Sequence, residues 1–161
     1  MGGNYLNSIL ATQDAKQRGF DEAILLDHSG NVSEAPGENI FLVKNNKLVT
    51  PSLSSSALDG ITRKTIITLA KDMKLKVKTR KVSKNELKLA DEIFLSGTAA
   101  EITPIIKIDK KKICEGKVGN ITKLFMATYS DIVMNKSENY SHWLTEAVSY
   151  THLTLPTIYS V

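Results

Sequence analysis

The sequence predicts an α/β domain, layered or barrel-like, in which strands and helices are mixed along one chain. Residues 62–74 repeat apolar side chains at helical spacing: Ile66, Leu69, Ala70 and Met73. Residues 75–79 follow directly and alternate apolar with polar side chains, which is typical of a half-buried strand. Two apolar runs, 39–43 and 48–50, flank Asn45-Asn46, and this pattern predicts a β-hairpin.

The first part of the chain predicts one helix and two short strands. Residues 6–18 carry helix-forming residues and end before Gly19, a helix stop. Their apolar side chains lie roughly on one predicted face: Leu6, Ile9, Leu10 and Ala15. Residues 22–27 and 32–34 then predict strands on either side of a turn at 28–31.

The second part continues the mixed pattern. Ser83 and Glu86 form a capping box that opens a short helix. Residues 92–95 and 102–108 predict further strands, and residues 121–133 a later helix. The lysines before Cys114 indicate a hairpin edge, where this thiol is semi-buried or on the surface and is not a nucleophile.

Composition narrows the class of protein. The chain has 161 residues, 42% of them hydrophobic and 24% charged, which suits one globular domain with a substantial core. The net charge is +4, but the basic residues of 71–84 alternate with apolar ones. This spacing favours a solvated face over an anion- or polymer-binding face, so no nucleic-acid partner is predicted.

Several site types are excluded by simple counts. A single cysteine allows no internal disulfide and supplies no zinc cluster. His28 and His142 have no carboxylate or serine partner at catalytic spacing, and no metal motif or dinucleotide fingerprint appears. There is no signal peptide and no apolar run of ~18 residues, so we expect a cytoplasmic protein without a membrane partner.

Four separated motifs carry the remaining chemistry. Residues 2–8 read Gly-Gly-Asn-Tyr-Leu-Asn-Ser, and residues 33–41 read Ser-Glu-Ala-Pro-Gly-Glu-Asn-Ile-Phe. Residues 58–63, Leu-Asp-Gly-Ile-Thr-Arg, feed a glycine turn into a helix N-terminus, which is a ready anion site. Residues 95–104 read Leu-Ser-Gly-Thr-Ala-Ala-Glu-Ile-Thr-Pro, where small residues allow close backbone approach. Each motif alone is ordinary turn or packing chemistry.

Together and in this order, the four motifs resemble those of branched-chain amino acid aminotransferases, which are fold-type IV (class IV) pyridoxal phosphate enzymes. The resemblance covers roughly residues 2–147. It implies the C-terminal, barrel-like cofactor domain of the D-amino acid aminotransferase-like fold at residues 1–147, without the N-terminal domain. The family's Schiff-base lysine would fall one position before Met1. The resemblance therefore implies that this chain contains no catalytic lysine and is inactive by itself.

The resemblance also implies roles for individual residues. Tyr5 corresponds to the donor to the cofactor's phenolic oxygen, and Glu34 to the partner of its pyridine nitrogen. The residues that correspond to phosphate-binding positions are Gly60, Ile61, Thr62 and Thr98. Those that correspond to substrate carboxylate-binding positions are Ala99 and Ala100. Glu38 and Asn39 hold their loop by hydrogen bonds, and Arg63 makes a structural ion pair. We expect Tyr5, Glu34, Ile61, Thr62 and Thr98 to converge on one pocket.

The activity implied is transfer of the amino group of leucine, isoleucine or valine to 2-oxoglutarate, in branched-chain amino acid biosynthesis. The cofactor is pyridoxal 5'-phosphate, and the family forms homo-oligomers, either dimers or hexamers. The alternatives are a D-amino acid aminotransferase or an aminodeoxychorismate lyase of the same fold. A non-catalytic, cofactor-binding or interaction pseudoenzyme is the alternative of a different class.

The last fourteen residues, 148–161, differ from the body of the chain. They contain no acidic or basic residue apart from His152, whereas the preceding segments carry a charge every few residues. The string resembles translated sequencing adapter, so it is predicted to be a non-native tail without a packed role. The alternative is a natural β-type tail.

Overall fold

The computed structural model describes residues 5–145, and the predicted tail at 148–161 lies outside them. Contacts divide the chain into two units, Met1–Tyr129 and Ser130–Val161. Within the second unit, a 3-10 helix at Glu138–Trp143 brings the Tyr140 and Trp143 rings to a centroid distance of 4.6 Å. The first unit contains all the predicted site residues and every strand found within residues 5–145.

A five-stranded mixed sheet organises the first unit. Its strands are β1 Asn39–Lys44, β2 Lys47–Pro51, β3 Lys76–Arg80, β4 Glu92–Gly97 and β5 Glu101–Pro104. The order is β3-β2-β1-β4-β5, with β2 and β3 parallel and the other pairs antiparallel. A separate hairpin pairs β6, Lys107–Ile108, with β7, Lys111–Lys112. The α/β fold class predicted from the sequence is confirmed.

In the described part of the chain, four α-helices accompany the sheet: α1 Leu6–Gln17, α2 Ile61–Asp72, α3 Lys84–Leu89 and α4 Asn120–Val133. The helix predictions at 62–74 and 121–133 are confirmed to within two residues. The capping box of α3 is also confirmed, since the Ser83 amide donates to Glu86 Oε2 at 2.9 Å. The β1–β2 hairpin turns at Asn45 and Asn46, which both have positive φ angles.

The central strands are buried on both faces. One cluster contains Ile40, Leu42, Ile93 and Leu95 together with side chains from the loops before β1 and from α3. On the opposite face, Phe41 stacks on its register partner Phe94 at 5.1 Å. Helix α2 packs against β3 and β4 and buries Ile66, Leu69 and Ala70. Continuous burial explains why β1 reads as an unbroken apolar run in the sequence.

Two strand predictions were wrong. Residues 22–27 and 32–34 form no regular strand: they meet at the isolated bridge between Leu26 and Val32 and through backbone hydrogen bonds of Leu25 with Ser33 and Glu34. Asp27 explains the short ladder, because its Oδ1 accepts from the amides of Ser29 and Asn31, both at 2.9 Å, and closes a tight turn. The strand predicted at 102–108 is also interrupted, since β5 ends at Pro104, which has no amide hydrogen to donate.

The predicted apolar face of α1 is not a core face. Leu6, Ile9 and Leu10 are about half exposed, and Ala15 is the buried residue of this helix. Helical spacing identifies side chains that share a face, but it does not say what covers that face. Within residues 5–145, no helix is both long enough and apolar enough to span a membrane.

The start of α4 is bound to a strand thirty residues earlier in the chain. Glu92, the first residue of β4, is buried and accepts from the Thr122 amide and the Thr122 hydroxyl, both at 2.7 Å. It also accepts from the Ile121 amide at 3.1 Å. Gly119 leaves the room for this contact, since an added Cβ would lie 2.0 Å from Glu92 Cδ. The carboxylate thus caps amides that the helix itself cannot satisfy.

Candidate cofactor site

Three segments meet at one end of the sheet. Asn39 begins β1 and pairs with Ser96, which lies near the end of β4. The loop before β1 contains Glu34, and this residue contacts the loop before α2 at Leu58. The β1–β2 hairpin is the reason, because it returns the chain to the same edge before α2 begins. Motifs that are 24 residues apart in the sequence therefore become neighbours.

Glu34 is half-buried and held by two donors on one oxygen. Its Oε2 accepts from the Leu58 amide at 2.8 Å and from Asn39 Nδ2 at 3.0 Å. Its Oε1 has no hydrogen-bond partner among residues 5–145. Burial raises the pKa of the Glu34 carboxyl, while the Leu58 amide and the Arg63 charge act in the opposite direction. One oriented carboxylate oxygen is thus left available for a ligand.

Gly60 completes this part of the site by having no side chain. An added Cβ would lie 2.2 Å from Asn39 Oδ1, far inside van der Waals contact. The φ angle of −65° and ψ angle of 143° at Gly60 suit any residue, so space and not backbone conformation requires glycine here. The Asn39 side chain occupies the volume that a larger residue would need.

The start of α2 forms the predicted anion site. The first backbone bond of the helix runs from the Lys64 amide to the Gly60 carbonyl at 3.0 Å. The amides of Ile61, Thr62 and Arg63 have no acceptor within the described range 5–145. Thr62 is buried, whereas the Ile61 side chain is 80% exposed. Free amides at the positive end of a helix dipole can bind a phosphate.

Arg63 lies inside the domain beside this loop. It is 4% exposed, and its Nη2 donates to the Pro51 carbonyl at 3.1 Å. Its Nη1 lies 3.7 Å from Asp59 Oδ1, so the ion pair implied by the resemblance is present. Arg63 Nε is buried and has no hydrogen-bond partner in the described chain. This positive charge acts on Glu34 as well as on Asp59.

The end of β4 packs closely on the loop that contains Glu38. A Cβ added to Gly97 would lie 3.0 Å from the Gly37 carbonyl oxygen and 3.0 Å from Glu38 Cγ. Glu38 Oε2 is buried without a hydrogen-bond partner in the described chain. Burial raises the pKa of the Glu38 carboxyl, and the nearby Glu22 carboxylate raises it further.

The structure brings together some of the predicted site residues more tightly than others. Glu34, Gly60 and Thr62 lie on segments joined by the hydrogen bonds described above. Thr98 and Ala99 follow β4 directly and are exposed, and the Ala100 carbonyl accepts from the Thr103 hydroxyl at 3.0 Å. Tyr5 is 54% exposed at the start of α1, and no hydrogen bond or ring contact among residues 5–145 joins it to the other site residues. Convergence of Tyr5 on the pocket stays a prediction.

One contact of the candidate site had no signal in the sequence. The Leu58 amide holds Glu34, and a backbone donor is the same in every residue except proline.

A cavity of about 820 Å³ lies elsewhere, between α1, α3 and residues 104–109, and Glu34, Thr62 and Thr98 do not line it. Within the described part of the chain, no cluster of three or more His, Cys, Asp or Glu residues could hold a metal ion.

Comparison with known proteins identifies the family. Residues 2–108 match the family model described as amino-transferase class IV. The chain belongs to the class IV aminotransferases. It is 47% identical over 146 residues to the probable branched-chain-amino-acid aminotransferase of Aquifex aeolicus, covering 90% of this chain and 47% of that protein. It is 44% identical over 145 residues to the branched-chain-amino-acid aminotransferase of Escherichia coli K12, with coverages of 90% and 47%.

Solved structures of class IV aminotransferases agree with this assignment. The branched-chain aminotransferase of Thermoproteus uzoniensis with norvaline superposes with a TM-score of 0.85 at 48% identity, covering 89% of this chain and 47% of that one. The branched-chain amino acid aminotransferase of Thermobaculum terrenum in its PLP-form has a TM-score of 0.86 at 42% identity, with coverages of 89% and 47%. The chain spans about half the length of these relatives. The predicted resemblance to branched-chain aminotransferases is confirmed.

The residues present fit the cofactor of class IV aminotransferases, pyridoxal 5'-phosphate. A phosphate needs donors, and the start of α2 offers unpaired amides next to the buried Thr62. A protonated pyridine nitrogen needs a carboxylate, and Glu34 offers an oriented one. Gly60 and Gly97 lie where an added side chain would collide with the two loops that form the site. The donor set and the shape are both appropriate for this cofactor.

Proposed function

We propose that this chain forms the cofactor-binding half of a branched-chain amino acid aminotransferase. The observation that carries the proposal is the bonding of Glu34 to the loop that begins α2. It links a carboxylate suited to a pyridinium nitrogen with a helix N-terminus suited to a phosphate. Pyridoxal 5'-phosphate carries both groups on one ring, so a single ligand would engage both.

Each protein group has a distinct task in this proposal. Glu34 Oε1 accepts a hydrogen bond from the ring nitrogen and keeps that nitrogen protonated. The amides of Ile61 and Thr62, with the Thr62 and Thr98 hydroxyls, hold the phosphate next to Gly60. The Ala99 and Ala100 amides bind the substrate carboxylate, and the Tyr5 hydroxyl donates to the ring oxygen. When bound, the cofactor supplies a protonated ring that acts as an electron sink.

The proposed substrates are leucine, isoleucine or valine with 2-oxoglutarate as amino acceptor. The names of the relatives support this substrate class, since those from Aquifex aeolicus and Escherichia coli are both branched-chain enzymes. They favour it over D-amino acids or aminodeoxychorismate. We also propose a cytoplasmic location and a homo-oligomeric state, either dimer or hexamer, as for the family.

The phosphate cradle predicts a large difference between two related ligands. Pyridoxamine 5'-phosphate binds without a covalent bond, and pyridoxamine is the same ring without the phosphate. We expect the 161-residue chain to bind the phosphorylated form roughly 100-fold more tightly, since charge-assisted bonds to the α2 amides would be lost. Fluorescence titration of the chain with each ligand measures both affinities. Equal affinities, or no binding of pyridoxamine 5'-phosphate, would contradict the proposed function.

A further inference from the structure

Asn39 contacts both halves of the candidate site. It is 5% exposed at the start of β1. Its Nδ2 donates to Glu34 Oε2 at 3.0 Å and to the Leu58 carbonyl at 2.9 Å. The two acceptors belong to different segments, one preceding β1 and the other preceding α2. A single buried amide group therefore ties the ring-nitrogen carboxylate to the phosphate-binding loop.

We propose that Asn39 is a positioning residue that fixes the orientation of the Glu34 carboxylate, so that one oxygen is held by the protein and the other faces the cofactor. Asn39 and the Leu58 amide both donate to Oε2, so the carboxylate cannot rotate without losing two hydrogen bonds. Oε1 is then the oxygen left for the ring nitrogen. This inference rests on the proposed function, and it adds a residue that contacts neither the ring nor the phosphate in that proposal.

The chemistry of the position calls for an amide. Both partners of Nδ2 are acceptors, so the side chain must donate two hydrogens from one nitrogen, as a primary amide does. An aspartate of the same shape has no such hydrogens when ionised. It would also place a second negative charge beside Glu34, which burial already disfavours in its charged form. Asn39→Asp therefore changes the hydrogen bonding while it keeps the volume.

The packing around Asn39 Oδ1 supports this fixed orientation of the Asn39 side chain. The position of a Cβ on Gly60 would be 2.2 Å from Asn39 Oδ1 and 3.6 Å from Arg63 Cβ. The absence of that Cβ lets the Asn39 side chain fit between β1 and the start of α2. Arg63 adds a positive charge from α2, and Asp59 in turn pairs with Arg63. The ionised form of Glu34 is thus supported by Asn39, Leu58 and Arg63.

The decisive experiment compares Asn39→Asp with the matched control Asn85→Asp, an exposed asparagine in α3. We expect Asn39→Asp to weaken pyridoxamine 5'-phosphate binding roughly tenfold to a hundredfold. In Asn39→Ala, which removes the donor without adding a charge, the ring-nitrogen ¹⁵N shift of labelled ligand should also move toward the unprotonated value at a lower pH than in the wild-type complex. A residue that only supports the fold would lower stability but leave this pH profile unchanged.

A second measurement needs no cofactor. In the free chain, the Leu58 amide should exchange its hydrogen faster in Asn39→Asp than in wild type or Asn85→Asp, because Glu34 is no longer held against it. If the variant does not fold, the wild-type chain provides the test instead. The side-chain amide protons of Asn39 should then be protected from exchange, and rapid exchange would overturn the inference. Unchanged Leu58 exchange in a folded variant would also overturn it. Failure of the wild-type chain to bind the ligand would instead contradict the proposed function, which the exchange data do not depend on.

Discussion

Replacing Gly60 with alanine is expected to weaken pyridoxamine 5'-phosphate binding by at least about 30-fold and to lower the melting temperature. The added Cβ would lie 2.2 Å from Asn39 Oδ1, so Asn39 or the loop before α2 must move. Either movement breaks bonds that join Glu34 to that loop. Overpacking of this kind costs about 1–3 kcal/mol of folding free energy. Fluorescence titration and thermal unfolding measure the two effects.

The control for this variant is Gly37→Ala. Nothing lies within 4 Å of a Cβ built on Gly37, and this glycine is in the loop before β1, close to the same site. Both the ligand affinity and the melting temperature of Gly37→Ala should stay near the wild-type values. An affinity for Gly60→Ala equal to that of Gly37→Ala would show that the Asn39 contact does not shape the site.

Replacing Glu92 with alanine should give the largest loss of stability, about 3 kcal/mol. The variant leaves two amides and one hydroxyl at the start of α4 without their acceptor, in a buried location. For a domain of this size the melting temperature should fall by about 6–15 °C. The melting temperature of Glu92→Gln should lie between those of Glu92→Ala and wild type, because the single carbonyl oxygen of glutamine can still accept some of these hydrogen bonds.

Asp131→Ala is the matched control for Glu92, since it removes an exposed carboxylate from α4 itself. Its melting temperature should change by no more than a degree or two, as is usual for exposed sites. A similar small change in Glu92→Ala would mean that the start of α4 does not depend on this carboxylate. Thermal unfolding followed by circular dichroism distinguishes the cases.

Local patterns predicted most of the secondary structure because local physics determines it. Asn45-Asn46 tolerates the positive φ angles of 49° and 55° that the β1–β2 turn needs. Ser83 and Glu86 satisfy each other's backbone within one helical turn. Failures occurred where longer-range partners decide. Residues 22–27 and 32–34 meet at the bridge between Leu26 and Val32, but the Val32 amide donates to the Val82 carbonyl, a distant partner that no local pattern indicates.

The sequence motifs identified residues of the candidate site, but they did not predict the hydrogen bonds that join those residues. Glu34 and Thr62 were identified because their motifs resemble those of the class IV family. The partners of Glu34 were not, since one is a backbone amide at Leu58, 24 residues away. Asn39 was assigned only to its own loop, whereas its second bond reaches the Leu58 carbonyl. Such contacts depend on the β1–β2 hairpin and on the packing of α2, which one sequence does not specify.

The central claim is that one phosphorylated ring binds between Glu34 and the start of α2. Amide chemical-shift mapping tests it most directly, by titrating ¹⁵N-labelled chain with pyridoxamine 5'-phosphate. We predict the largest shifts at Ile61, Thr62, Leu58 and Thr98, and a strong reduction of these shifts in Gly60→Ala. Shifts confined to the 820 Å³ cavity between α1, α3 and residues 104–109, with Thr62 and Leu58 unmoved, would contradict it.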